Sequence, residues 1–120
     1  MRNLTDHKVN PANDTISVTV MDEPGSGGAS HSYWVKHSNF ETVKIEFQNG
    51  PINENGNGVN GITNEVLLAI VADRLFSFQT GPYSCKANAV AVSHIEEAQN
   101  WLAGRTLERM QRGVEGTHKI

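Results

Sequence analysis

Apolar and polar positions alternate with a period of two through much of the first half of the chain. Ile16, Val18 and Val20 alternate with Thr15, Ser17 and Thr19, the pattern of a strand with one buried face. Thr42 to Gln48 repeats it, with Val43, Ile45 and Phe47 on one side and Lys44, Glu46 and Gln48 on the other. Between them Ser32 to His37, carrying Tyr33, Trp34 and Val35, is strand-like in composition. Glu23 to Ser30, with Pro24, Gly25, Gly27 and Gly28, and the polar pair Ser38-Asn39 supply the turns. The expectation is a small antiparallel β module over residues 1–50, whose apolar face something else must cover.

Residues 51–62 belong to a stretch rich in Asn and Gly, including Asn53, Asn55, Asn57 and Asn60, which neither strand nor helix favours. It reads either as a flexible connector or as a nest of backbone N–H groups for an anion. The period then changes to that of a helix. Leu67, Val71, Leu75 and Phe78 share a face, Thr63 or Asn64 can cap the start, and Gly81-Pro82 ends the run. Ser84 is a candidate cap for a second helix from about Cys85 to Arg112, closed by Gly113. The fold class expected is therefore α+β, with residues 63–120 forming a helical hairpin and a tail that assemble with other copies.

Steps of three and four along the second helix pick out Asn88, Ala91, Ile95, Ala98, Leu102, Arg105, Arg109 and Arg112. The middle of this seam is apolar and small enough for close helix packing, with an amide at one end and three guanidinium groups at the other. Those cations read either as a solvated helix end suited to the dipole or as a phosphate clamp. Asn88 and Arg105 lie 17 residues apart, about 25 Å on a straight helix, so one chain cannot close both on a small ligand. An antiparallel partner helix would bring Asn88 of one protomer to Arg105 of the other, giving two equivalent sites per dimer. Phe78 and Tyr83 read either as packing residues or as rings that contact a base.

Composition narrows the field further. At 120 residues and 13.1 kDa the chain suits one domain or two small submodules. Ten Lys and Arg against 13 Asp and Glu leave a formal charge of −3, without the positive field that long nucleic acids or anionic membranes attract. The longest apolar run, Val66 to Ala72, is too short to span a bilayer, and the first 21 residues hold no signal-peptide core. With a single cysteine, Cys85, the expectation is a cytosolic protein without disulfides. The five histidines lack metal-ligand spacing, Cys85 and His94 lie too far apart on one helix to act together, and Glu96-Glu97 face different ways. Neither an enzyme active site, a cofactor motif nor a metal site is expected.

Four motifs carry a family resemblance: FQNGP at Phe47 to Pro51, GVNGITNE at Gly58 to Glu65, the C-x-x-N of Cys85 to Asn88, and RGVEGTH at Arg112 to His118. From about Val43 to Ile120 the chain resembles the bacteriophage Thoeris anti-defence family of the first described type, which shares its hairpin with phage anti-CBASS sponges. The resemblance implies a non-enzymatic sponge in the cytoplasm of the infected bacterial host. It would sequester a cyclic ADP-ribose-type signal, without degrading it, and so starve the Thoeris effector. It further implies dimers that build into a hexamer, and cyclic di- or trinucleotides at separate sites. Carried over by motif, the ligand-binding residues are Phe78, Asn88 and Arg105, with Lys36 or His31 as the basic residue from the sheet module. Tyr83, Arg109 and Arg112 are further candidate contacts. Two alternatives stand beside this: a sponge for cyclic oligonucleotides using Arg109, Arg112, Thr117 and His118, and a structural protein that uses the hairpin only to assemble.

Overall fold

The alternation in the first half builds a four-stranded antiparallel sheet of order β1-β2-β3-β4, from Arg2–Leu4, Ser17–Val20, Ser32–His37 and Phe40–Glu46. The computed structural model describes residues 1–120 as two units, Met1–Ile62 and Thr63–Ile120. Register places Val18, Val35 and Val43 in one row and Val20, Tyr33 and Ile45 in the next, so one face is apolar. Val20, 1% exposed, anchors it. The other face carries Thr19, Trp34 and Lys44 in register.

The sheet has one strand more than the alternation reveals. β1 is three residues long, too short to display a period, and is held by pairing with Leu4 opposite Val18. Between β1 and β2 sits a one-turn helix, α1, Pro11–Asp14, whose Asn10 cap accepts from the Asn13 N–H at 2.8 Å with Pro11 in the first turn. The β2–β3 connection is organised by Asp22. Its carboxylate accepts from the backbone N–H groups of Ser32 and His31 at 2.9 to 3.0 Å, and these bonds hold its pKa below the ordinary value.

β4 begins and ends earlier than the alternation suggests; past its end the Phe47 N–H still donates to the His31 carbonyl at 2.8 Å, while Phe47 and Gln48 bridge to Ile62. The Gln48 N–H donates to the Ile62 carbonyl at 2.8 Å, and the Ile62 N–H donates to that of Glu46 at 2.9 Å. The Asn/Gly-rich loop between them is laced together rather than left as an unpaired connector. The Asn60 side chain accepts from the Asn49 N–H and donates to the Asn49 carbonyl, both at 2.8 Å. Gln48 donates to the carbonyls of Gly50 and Gly58 and accepts from the Asn60 N–H. Gly61 is required by space: a Cβ there would lie 2.4 Å from the Phe47 carbonyl carbon.

The second unit is a helical hairpin of α2, Asn64–Gln79, packed on α3, Lys86–Gln111. Thr63 caps α2 by accepting from the Val66 N–H. The cap of α3 is Cys85 rather than Ser84: its sulfur accepts from the Asn88 N–H at 3.4 Å, while its own N–H is taken by the Gln79 amide oxygen. At the far end Gly113 adopts φ 73°, the Val114 N–H returns to the Arg109 carbonyl and the Gly113 N–H to that of Met110. This is a Schellman closure. No helix is long and apolar enough to cross a membrane.

Candidate ligand site on the helical hairpin

The seam on α3 is half-buried along Asn88, Ala91, Ile95, Ala98 and Leu102, beside the buried Val92. This is the face toward α2, so the chain's own first helix covers part of what the spacing offers to a second copy. The cover is thin. No residue of α2 is buried, and α3 buries only Val92 and Arg109. Ile70, Phe76, Leu107 and Met110 stay exposed, and Trp101 is 76% exposed.

Phe78 and Tyr83 meet at an open cleft of about 580 Å³ at the end of α2, lined also by Ile70, Asp73, Arg74, Ser77, Gly81 and Pro82. Phe78 is 38% exposed and Tyr83 74%, so neither ring is a core residue of the isolated chain. The Arg74 guanidinium lies 5.2 Å from the centre of the Phe78 ring, a cation–π contact that the apolar spacing of α2 did not single out. The signal was present: Ile70, Asp73, Arg74, Ser77 and Phe78 follow the three-and-four spacing of one helix face.

The other candidates separate into two groups. The Asn88 side chain is half-buried and unbonded, and Arg105 is exposed with no hydrogen bond or ion pair. Arg109, one turn on, is the reverse. It is 7% exposed, and all five of its N–H donors are taken. Nε donates to Glu115 at 3.1 Å, Nη1 to the carbonyls of Lys119 and Ile120, and Nη2 to those of Val114 and Thr117. Its donors thus fasten the tail over the end of α3 and leave none over for a ligand in this arrangement. Arg112 is held by the Glu108 carboxylate and the Ile120 carbonyl. In the sheet unit Lys36 and Lys44 flank the Trp34 ring at 5.3 and 4.4 Å, and the Trp34 indole N–H has no acceptor. His31 donates to the Ser26 carbonyl from Nε2 at 3.0 Å.

The hairpin thus presents exposed aromatic rings, the unbonded amide of Asn88 and the unbonded guanidinium of Arg105. No three His, Cys, Asp or Glu side chains gather as metal ligands. Residues 40–106 match the family described as Acb2/Tad1, hairpin domain, and the chain belongs to that family. It is also 46% identical over 95 residues to Thoeris anti-defense 1 of Bacillus phage SBSphiJ7, an alignment covering 79% of this chain. The chain spans 66% of the length of that relative. Phe78, Tyr83, Asn88 and Arg105 fall inside the family match; Lys36, Arg109 and Arg112 fall outside it.

Proposed function

We propose that this protein is a phage anti-defence sponge that binds and sequesters a cyclic ADP-ribose-type immune signal in the cytoplasm of an infected bacterium. The observation that carries the reading is the kinship with Thoeris anti-defense 1 over a hairpin whose Asn88 and Arg105 are left unbonded. An adenine stacks on Phe78 and hydrogen-bonds Asn88, while Arg105 takes the diphosphate through paired N–H donors. Tyr83 closes the side of the cleft, and Arg112 serves only where a ligand displaces Glu108.

A single α3 holds Asn88 and Arg105 about 25 Å apart, so the site is proposed to form between two copies with antiparallel α3 helices. The thin core supports this: a hairpin with no buried residue on α2 gains most of its burial by packing against a second hairpin. Sequestration is expected without turnover, because the same closure that excludes water brings no nucleophile to the ligand. Cys85, the one thiol, is engaged as a helix cap. Nanomolar binding corresponds to about −12 kcal/mol, within reach of a closed site with stacking and a bidentate phosphate contact.

Native mass spectrometry with cyclic ADP-ribose isomers and with cyclic di- and trinucleotides tests this. The expected result is one cyclic ADP-ribose-type ligand per chain on an even-numbered oligomer, released intact by heat. Exclusive capture of cyclic oligonucleotides, or a hydrolysed product in the released fraction, contradicts it.

A further inference from the structure

The cleft at the end of α2 holds two opposite charges that the hairpin does not use. Asp73 and Arg74 are exposed, line the same cleft and form no ion pair with each other. Neighbouring helix positions diverge by about 100°, which keeps their heads apart. The Asp73 carbonyl accepts from the Ser77 hydroxyl at 3.0 Å, while its carboxylate accepts no hydrogen bond. The Arg74 guanidinium lies over the Phe78 ring, 5.2 Å from its centre, and its N–H donors make no hydrogen bond.

We infer that Asp73 and Arg74 select the ligand at this site, Asp73 by accepting from a pair of ribose hydroxyls and Arg74 by donating to a phosphate. The inference rests on the nucleotide reading of Phe78 given above. Arg74 covers one face of the Phe78 ring, so a base stacks on the other, and its guanidinium then borders the base where the sugar and phosphate begin. A carboxylate is an acceptor only and repels phosphate, whereas two adjacent hydroxyls present two donors that match its two oxygens. The pair therefore sorts ligands by what lies beside the phosphate. Ribonucleotides with a free hydroxyl there are accepted, and analogues without it leave a carboxylate unpaired in a partly closed cleft.

Titration calorimetry of the full chain tests this, using wild type, Asp73→Asn and Arg74→Gln against the tightest-binding cyclic ADP-ribose isomer and against analogues each lacking one ribose hydroxyl. Asp73→Asn is expected to weaken the parent ligand about tenfold, and for one analogue the difference between wild type and variant should vanish. Arg74→Gln should weaken every phosphate-bearing ligand about tenfold and flatten the dependence of affinity on salt. Melting temperatures of both variants should match wild type, since both side chains are exposed. The inference is overturned by an Asp73→Asn loss that is equal for all analogues or absent, or by an Arg74→Gln affinity and salt slope like those of wild type. Should wild type bind no cyclic ADP-ribose isomer, the nucleotide reading of the cleft fails first, and the two failures are told apart by that control.

Discussion

The sheet unit and the hairpin treat their polar groups in opposite ways. In the sheet unit the Asn/Gly-rich loop consumes its own amides: Gln48, Asn57 and Asn60 bond to nearby backbone until little is left over. In the hairpin the amide of Asn88, the guanidinium of Arg105 and the carboxylate of Asp73 are left unspent beside exposed aromatic rings. Polar groups that are mutually satisfied fix a conformation, whereas unsatisfied groups held on rigid helices are available to a ligand. Arg105 and Arg109 give the sharpest form of the contrast, because the same residue type one turn apart serves the two purposes.

Removing the buried member of that pair should have the largest effect. Arg109→Ala removes five hydrogen bonds, to Glu115 and to the carbonyls of Val114, Thr117, Lys119 and Ile120, and a loss of about 3 kcal/mol is expected in chemical denaturation. Arg109→Lys should recover little, since one ammonium cannot reach five acceptors in the planar arrangement a guanidinium provides. A wild-type midpoint for Arg109→Ala would place the tail's stability elsewhere. Arg105→Ala should do the reverse: stability within about 0.5 kcal/mol of wild type, and ligand binding weaker by about 2 kcal/mol, roughly 30-fold, by calorimetry.

Smaller effects belong to the sheet unit. Gln48→Ala removes three hydrogen bonds from the loop and should cost about 1–2 kcal/mol of stability. If the Asn49–Asn60 pair holds the loop alone, Gln48→Ala will unfold like wild type. The least effect is that of Asp22. Its pKa is lowered, chiefly by the Ser32 and then the His31 backbone N–H, so the stability it contributes is present above the ordinary value of 3.8. That contribution is lost as pH falls through the lower value in the folded state. Asp22→Asn should therefore lower stability slightly at neutral pH and flatten the acid limb of the stability profile, so that variant and wild type converge at low pH.

Much of the fold was legible because periodicity survives on a single sequence. The alternation through Val18, Val20, Val43 and Ile45 gave two of the four strands their faces, composition alone marked a third at Ser32 to His37, and the run from Leu67 to Phe78 gave the first helix its length. Gly113 marked the end of the second helix because a left-handed residue is needed there. β1 was not legible, since Arg2 to Leu4 has no period and depends on its neighbour for pairing. The lacing of the Asn/Gly loop was hidden because Asn49 and Asn60 lie 11 residues apart and composition alone resembles a connector.

The candidate site was legible in its residue types and not in its allocation of roles. Spacing puts Arg105 and Arg109 on one seam and cannot show that the tail turns back at Gly113 to enclose only the second. The RGVEGTH motif held that information, because Gly113 and Gly116 with positive φ permit the turn and Glu115 supplies the counter-charge. Asp73 and Arg74 were passed over because the apolar residues of α2 define a different face from the one that lines the cleft.

The central claim is that each ligand is gripped by Asn88 of one copy and Arg105 of another, and mixing single variants tests it most directly. Asn88→Ala and Arg105→Ala proteins each lack one half of every site, so each alone should bind weakly. Unfolded together and refolded at equal amounts, a shared site predicts that about one quarter of the wild-type high-affinity sites reappear, since half the dimers are mixed and each holds one intact site. Calorimetry that finds no high-affinity sites in the mixture, while wild type treated alike retains them, would contradict the account.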